Sequence, residues 1–590
     1  MSLEKRLDIP LAVIKASLVD NERFSKYTIF ILLGITGGLV LHNILFIFTQ
    51  QARTLTCLSN ETQNYFRSPQ SFYAKFKEHV LYAPLFGKRH SEPIRIGRLE
   101  LVVIPTRWQG GIFFGIVIMN ITFATYGMEW SGDYQILLMH FRNRLGTLAL
   151  TNMLPLFFLS GRNSPLIALT RIPFDTFNLI HRWFGHLVIV FVIAHASVEF
   201  RKFHIMAGQM HKSDLAVLNN FLQTERFLLF GFIAFLSVLV IFFTTFTAFR
   251  RAFYETFLNI HIVLAALILA ALWNHLDGYP PQILVKILIA IWVIERCLRL
   301  ATLVYRNIGH TITQATIETL PGDTMRINLK VARPWRFRPG QHVFLTIPSL
   351  FWMNHPFTVA WSDTIGRPSD PEKDIKVTDI DSTFDALAMR PNTVSLVVRR
   401  RSGFTEHLYR KLLAQPRGGP LTLPALVEGP YGGDKCLDSY GTIMLVAGGI
   451  GITHQIPYIR HLVSGYSSNT VAARKILLVW VIRSAEHLEW IRPWMTSILA
   501  MSKRREVLRI QLFVTQPKSC REVHSPSTTV QMFPGRPDLE TLVEMERRGQ
   551  LGAMAVGVCG PGSLGDDVRA AVRRRQERRN IDLVEASFGW

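Results

Sequence analysis

Six mostly apolar stretches, Tyr27–Thr49, Gly111–Gly127, Leu145–Ser160, Phe177–Val198, Phe227–Phe249 and Thr256–Leu276, crowd the first half of the chain. A helix that crosses a bilayer needs about 20 such residues, and in lipid its backbone groups must be satisfied within the helix. These stretches restrict the N-terminal half to a helical membrane bundle. A seventh, Ile287–Val304, ends among Glu295, Arg296 and Arg299, which suits a helix emerging into an aqueous interface. Hydrophobic residues make up 49% of the chain and charged ones 18%, whereas soluble domains carry about 25% charge. The first stretch follows Lys5, Arg6 and Lys15 with no small-residue cleavage site after it, which predicts a retained helix rather than a signal peptide.

The formal charge is +22. In a membrane chain this excess reads as Lys and Arg gathered on the cytoplasmic side. The segment between the first two stretches holds Arg53, Arg67, Lys75, Lys77, Lys88, Arg89, Arg95, Arg98 and Arg107, and Arg162, Arg171, Arg250, Arg251 and Arg306 follow on that side. Seven spans with that side inside put the N-terminus outside and the C-terminal half in the cytosol. The Asn60-Glu61-Thr62 sequon then faces the cytosol and is expected to stay unglycosylated. The basic residues flank apolar spans without an aromatic–basic motif, which argues against nucleic acid as partner. Cys57, Cys297, Cys436, Cys520 and Cys559 are scattered with no CxxC pair, so neither a disulfide framework nor a zinc site is expected.

Ionisable side chains inside membrane spans are costly and mark function. The fourth span carries His181 and His195, and the sixth carries His261 and His275, each pair 14 residues apart. Fourteen residues advance a helix by about 21 Å and return the side chain to within about 40° of its starting face. The two spans run in the same direction, so His181 is level with His261 and His195 with His275. Two layers of paired imidazoles suit two stacked six-coordinate haems. The bland alternative, polar groups satisfied at helix ends, is weakened by the repeated spacing. His186 is rotated about 140° from His181 and reads as structural, as does His42.

From about Asn307 the pattern becomes short alternating runs, such as Met325–Val331 and His342–Ile347, divided by Pro and Gly, which predicts a β-rich domain. After Leu437, runs at Thr442–Ala447, Ile476–Ile482, Val507–Val514 and Met554–Val558 alternate with helical stretches, which predicts a parallel α/β domain. The expected fold is a multi-domain chain: an N-terminal segment (1–110), a transmembrane bundle (111–304), a β-barrel (307–436) and an α/β domain (437–590). The polar stretch Ser362–Asn392 reads as a surface loop within the barrel. A flavin site needs an apolar wall, a hydroxyl or amide near the ring edge, and donors for the pyrophosphate. His355-Pro356-Phe357-Thr358, Arg399 and Gly403-Phe404-Thr405 could supply these, though each alone reads as an ordinary strand start or turn. Gly448-Gly449-Ile450-Gly451-Ile452-Thr453 joins a strand to a helix, a context in which backbone amides hold a diphosphate, although its spacing is not G-x-G-x-x-G and a plain tight turn is the alternative. Cys559-Gly560-Pro561-Gly562 follows a later strand at the carboxyl edge, where α/β ligands bind. Cys559 by itself reads as a small buried hydrophobe. Arg483 is placed either to meet a 2′-phosphate or as a plain surface arginine, and the terminal Trp590 could cover a flavin.

With these residues in this order, the chain resembles the fungal ferric/cupric reductase transmembrane proteins, relatives of the NADPH oxidases. The resemblance runs from about Tyr82 to Trp590 and rests on His181-Arg182-Trp183 with His195, the His261/His275 pair, His355–Thr358, Gly448–Thr453, Cys559–Gly562 and the terminal aromatic. It implies a ferredoxin-reductase-like FAD barrel, an NADPH domain and two haems b, with His181, His195, His261 and His275 on haem iron. It assigns His355, Pro356, Phe357, Thr358, Gly403 and Thr405 to FAD, and Gly448, Gly449, Gly451, Thr453, Cys559, Gly560 and Pro561 to NADPH. It implies ferric or cupric chelates as acceptors and, by analogy, a permease or multicopper oxidase as partner. The flavin motif opens with His355 where soluble relatives have Arg, so Arg399 is the expected cation. A superoxide-producing NADPH oxidase is the alternative, although its second pair is typically spaced by 13. A subunit without turnover is the non-enzymatic alternative.

Overall fold

The computed structural model describes residues 11–590 apart from 62, 69–70, 88, 98, 101–102, 364–392, 519–524, 526, 577–579 and 587–590. Thr62, Lys88, Arg98, Cys520, Trp590 and nearly all of the polar Ser362–Asn392 stretch lie outside the described residues. The chain divides into two units. One comprises Met1–Leu45, Ile94–Val102 and Trp108–Leu298, and the other Phe46–Pro93, Val103–Arg107 and Arg299–Trp590.

Seven long helices supply the first unit: α1 (Leu11–Leu58), α2 (Arg107–Thr125), α3 (Tyr134–Ser160), α4 (Phe174–Gln209), α5 (Arg226–Thr244), α6 (Tyr254–His275) and α7 (Gln282–Asn307). Among the described residues, α1, α2, α4, α5 and α6 are long and apolar enough to cross a membrane by length and composition. The other two expected spans fall short of that measure. Asn143, Arg144 and Asn152 dilute α3, and α7 carries Lys286, Glu295, Arg296 and Arg299. The polar residues of α3 turn inward. Asn152 is fully buried and donates to Asn120 Oδ1 of α2 at 2.6 Å, and Thr151 shares a 2.8 Å hydrogen bond with Ser25 of α1. Such bonds tie helices together where apolar faces give no preference over lipid. The expected fifth span reaches Phe249, but α5 stops at Thr244, and a separate short helix covers Thr247–Ala252. Thr244 and Thr245 bond their hydroxyls to the carbonyls of Val240 and Phe242, a local competition that loosens helix ends.

In the second unit, among the described residues, eight strands form two antiparallel sheets: β1 (Gln314–Leu320), β2 (Thr324–Lys330), β3 (Gln341–Ile347), β4 (Phe351–Thr358), β5 (Trp361–Ser362), β6 (Thr393–Arg399), β7 (Leu421–Pro424) and β8 (Leu426–Gly432). The strand orders are β5-β6-β2-β1-β7 and β8-β3-β4. Their inward alternates, such as Ala315, Ile317, Ile327, Leu345 and Leu396, are fully buried. The helix α8 (Phe404–Leu413) adds Phe404, Leu408 and Leu412 to that core.

The remainder is a six-stranded, all-parallel sheet of β9 (Thr442–Gly448), β10 (Lys475–Ile482), β11 (Leu508–Val514), β12 (Val530–Pro534), β13 (Met554–Cys559) and β14 (Ile581–Ala586), in the order β12-β11-β10-β9-β13-β14. Every residue of β9 and β13 is buried, as expected of central parallel strands covered on both faces. The helices α9 (Ile452–Ser467) and α10 (Gly562–Arg573) follow β9 and β13.

The basic segment between α1 and α2 docks on this α/β domain. Arg53 donates to Ser439 Oγ and lies 4.1 Å over the Tyr440 ring. Gln63 donates to the Ala472 carbonyl at 2.8 Å. Lys77, 1% exposed, pairs with Asp582 and donates to Asn580. Arg53 and Lys77, two of the basic residues from which the orientation is read, are buried here at 8% and 1% exposure.

Candidate functional site

The four membrane histidines are already oriented by backbone carbonyls or by one another. His181 Nδ1 donates to Leu156 O at 2.8 Å, His195 Nδ1 to Arg142 O at 2.9 Å and His275 Nδ1 to Phe227 O at 2.8 Å. Each bond fixes the tautomer that leaves Nε2 as the free electron-pair donor, the usual arrangement of a metal-bound imidazole. His261 Nδ1 is buried without a hydrogen-bond partner. Its ring faces His181 with centres 6.2 Å apart and planes at 71°. Metal–nitrogen bonds of about 2.0 Å put two imidazole centres about 6 Å apart across one metal, so this pair has the spacing of axial ligands. At the other layer His275 stacks on Phe227 at 4.1 Å.

Among the described residues, no group of three or more His, Cys, Asp or Glu could hold a metal ion. A metal between two imidazoles here has to bring its remaining ligands, as the iron of a porphyrin does. His181 and His261 fit that group by their spacing, and His195 and His275 by carbonyl bonds that leave Nε2 to a metal. Two further residues, missed in the sequence, shape the second layer. A Cβ on Gly146 of α3 would stand 3.0 Å from His195 Nδ1, and one on Gly231 of α5 would stand 2.8 Å from His275 Nδ1. Isolated glycines in membrane helices gave no pattern by which to find them.

In the barrel, His355, Pro356, Phe357 and Thr358 lie on β4, in register with Leu345, Phe344, Val343 and His342 of β3. The His355 ring stacks on Phe404 at 4.6 Å and 16°. Gly403, at φ +78°, turns the chain into α8, so Gly403-Phe404-Thr405 forms a helix N-terminus pinned against the flavin motif. Thr405 Oγ1 donates to Arg401 O at 3.0 Å and accepts from Arg401 N at 2.8 Å. It therefore closes the loop, and the amides, rather than this hydroxyl, are left to meet an anion. Arg399 ends β6, exposed, and Arg483 follows β10, also exposed. The two were assigned to different cofactors, yet both act on His487, whose imidazole is held below its ordinary range by burial and then by Arg399.

The two glycine segments of the α/β domain meet at the carboxyl edge of adjacent strands β9 and β13. A Cβ on Gly448 would lie 2.6 Å from Pro561 Cδ, and one on Gly451 would collide with the Cys559 carbonyl. The glycines thus allow backbone-to-backbone contact, and Gly449 takes φ +54° at the turn. Thr453 Oγ1 caps Ile450 O at 2.9 Å. Burial pushes the Cys559 thiol up to about 12, so it is a packed side chain, not a nucleophile.

Family models match three stretches: a ferric reductase like transmembrane component over residues 145–272, an FAD-binding domain over 310–372 and a ferric reductase NAD binding domain over 440–573. Among curated proteins, the chain is 26% identical over 426 residues to ferric/cupric reductase transmembrane component 2 of Saccharomyces cerevisiae, covering 70% of this chain and 53% of that one. It is 23% identical over 555 residues to ferric reductase transmembrane component 3 of the same yeast (88% and 72% covered). It is 26% identical over 571 residues to ferric/cupric reductase transmembrane component 1 of Candida albicans (87% and 67% covered). The chain thus spans about half to three quarters of these relatives. The chain thus carries a ferric-reductase-type helical region followed by FAD-binding and NAD-binding domains, and over most of its length it is similar to the fungal ferric/cupric reductase transmembrane components.

Proposed function

We propose that the chain is a transmembrane metalloreductase that takes electrons from NADPH at its cytosolic half and delivers them to ferric or cupric chelates at the opposite membrane face. The observation that carries this reading is the set of membrane imidazoles, three of them held by carbonyls with Nε2 free, in a chain that also bears FAD-binding and NAD-binding domains. When bound, FAD accepts hydride and releases electrons singly, and two haems b supply one-electron carriers at two depths. His181 and His261 hold the inner iron, and His195 and His275 the outer one.

The residues of the cytosolic half bind and orient. The stacked His355 and Phe404 wall the flavin, and the amides of Gly403-Phe404-Thr405 meet its pyrophosphate. Gly448–Thr453 and Cys559–Pro561 receive the dinucleotide, with Arg483 on the 2′-phosphate. The basic segment between α1 and α2 faces the cytosol and the N-terminus lies outside, with the plasma membrane as the expected location and the vacuolar membrane as the alternative. Chelated metal, rather than dioxygen, is favoured by the 14-residue spacing of His261 and His275.

The test is ferric-chelate reduction by intact cells expressing the chain, measured beside superoxide release, with and without His195→Ala. Reduction that depends on His195 without superoxide supports the reading. Superoxide in place of ferric reduction assigns the chain to oxidase chemistry, and unchanged reduction in the variant overturns the route through the membrane.

A further inference from the structure

The docked segment between α1 and α2 touches the dinucleotide edge itself. Asp566, on the first turns of α10 and 7% exposed, accepts three successive backbone amides through one carboxylate. His90 N and Ser91 N reach Oδ1 at 2.9 and 2.7 Å, and Glu92 N reaches Oδ2 at 3.0 Å. A carboxylate satisfied by three N–H groups makes charge-assisted bonds about twice as strong as neutral ones. The same strip lies on Gly562, where an added Cβ would stand 2.6 Å from Ser91 O and 2.9 Å from Glu92 Cα. Behind it, Arg569 donates to Tyr82 O at 3.2 Å and Arg573 to Glu78 O at 3.0 Å.

Three backbone layers therefore stack in order: Gly448–Gly451, then Cys559-Gly560-Pro561-Gly562, then Ser91-Glu92. The middle layer is pressed from both sides. Gly448 and Gly451 admit it on one face, and Gly562 admits the docked strip on the other. Cys559 is buried and anchored in the ladder between β9 and β14, whereas Gly560 and Pro561 beyond it are exposed and leave the ladder, so these neighbours bear on the position of the turn.

We propose that His90–Glu92, held by Asp566, is a positioning element of the dinucleotide site. By fixing the Cys559–Pro561 turn from behind, it sets the geometry with which NADPH is received. This rests on the reading of that edge as the NADPH site. Both carboxylate oxygens of Asp566 are taken up by the amides of the strip, so it acts through the strip and the turn. The segment that joins the first two membrane helices is in this way a working part of the cytosolic half.

The experiment uses the full-length chain in detergent, loaded with FAD, with ferricyanide as electron acceptor. Asp566→Asn removes one acceptor and points an amide N–H at the strip. Gly562→Ala displaces the strip sterically and leaves every polar group in place. Each variant is expected to raise KM for NADPH about tenfold while kcat stays within about twofold, because only the fit of the dinucleotide is disturbed. The dissociation constant of NADP+, measured by titration, rises in parallel, while the FAD-to-protein ratio and the Soret spectrum stay unchanged. The double variant is no worse than the worse single one, since both act through one strip. Unchanged KM and NADP+ affinity overturn the proposal, as do additive effects in the double variant. Loss of FAD in step with NADP+ also overturns it, because the strip then only supports the fold. Should Asp566→Asn fail to accumulate, Gly562→Ala decides alone. Should the parent chain bind NADP+ but not oxidise NADPH, the functional reading falls while the titrations still judge the strip.

Discussion

Lys77 and Asp582, 505 residues apart in sequence, form an ion pair at the docked segment, with the Lys77 side chain 2% exposed. Burial works to raise the Asp582 carboxyl, but Lys77, Arg53 and the Tyr440 hydroxyl outweigh it and hold the group below its ordinary range. Removing one partner of a buried pair leaves the other charge uncompensated at a cost of about 3–5 kcal/mol. Lys77→Met should lower the thermal midpoint of the unit that carries the FAD-binding and NAD-binding domains by several degrees, read by FAD release on heating. Lys77→Met with Asp582→Leu should recover part of that loss. A single variant as stable as the parent would show the pair to be dispensable.

The ligand assignment makes a spectroscopic prediction. His181→Ala or His261→Ala should remove one of two low-spin haem signals and spare the other, because each layer has its own pair of imidazoles. Reduced-minus-oxidised difference spectra of purified protein, with haem-to-protein ratios, give the count. Retention of both signals in either variant contradicts the pairing at 6.2 Å.

Gly146 and Gly231 extend this to the other layer. Alanine at Gly231 puts a methyl group 2.8 Å from the His275 imidazole, closer than real Cβ contacts come, and alanine at Gly146 puts one 3.0 Å from His195, tighter than nearly all of them, so the ring must shift against its carbonyl bond. The outer signal should broaden or disappear while the His181/His261 signal persists. A serine variant should behave like alanine, since the effect is steric. Equal loss of both layers would mean that the bundle, not the ring orientation, had failed.

Much of this arrangement was legible in sequence because it repeats at helical or strand periods. The paired His181/His195 and His261/His275 spacing, and the buried runs of β9, β10, β11 and β13, carry their signal locally. The edge strands β12 and β14 were not read as strands, since Pro534 and the charged Asp582 and Glu585 mask them. The role of the 46–93 segment was hidden for a different reason. Arg53 and Lys77 are indistinguishable in sequence from topology-setting surface charges, and only long-range docking buries them. Gly146 and Gly231 carry no periodic mark because their function is to be absent where an imidazole passes.

Thiol chemistry offers a check on the α/β edge. Burial pushes Cys559 up to about 12 and also raises Cys57, whereas Cys436 is exposed. The thiolate is the reactive form, so iodoacetamide at mild alkaline pH should alkylate Cys436 and spare Cys57 and Cys559, as read by peptide mass spectrometry. Fast modification of Cys559 would mean that the Gly448–Gly451 and Cys559–Pro561 segments do not close on each other.

His461 of α9 and Asp438, just before β9, share a 2.8 Å hydrogen bond. That bond raises the His461 imidazole above its ordinary range against the opposing effect of burial. For Asp438, burial pulls upward, but the bond and charge of His461 win and hold the carboxyl low. The two signs bound a window. The stability contributed by His461 is present below its unfolded value of about 6.5 and is lost as pH rises through the higher folded value. The stability contributed by Asp438 is present above its unfolded value of about 3.9 and is lost as pH falls through the lower folded value. The pair therefore stabilises the α/β domain most between about pH 4 and 6.5. The difference in thermal midpoint between the parent and His461→Gln should peak in that interval and shrink on both sides. A difference that stays constant across the whole range would mean that the contact is a neutral hydrogen bond with no charge behind it.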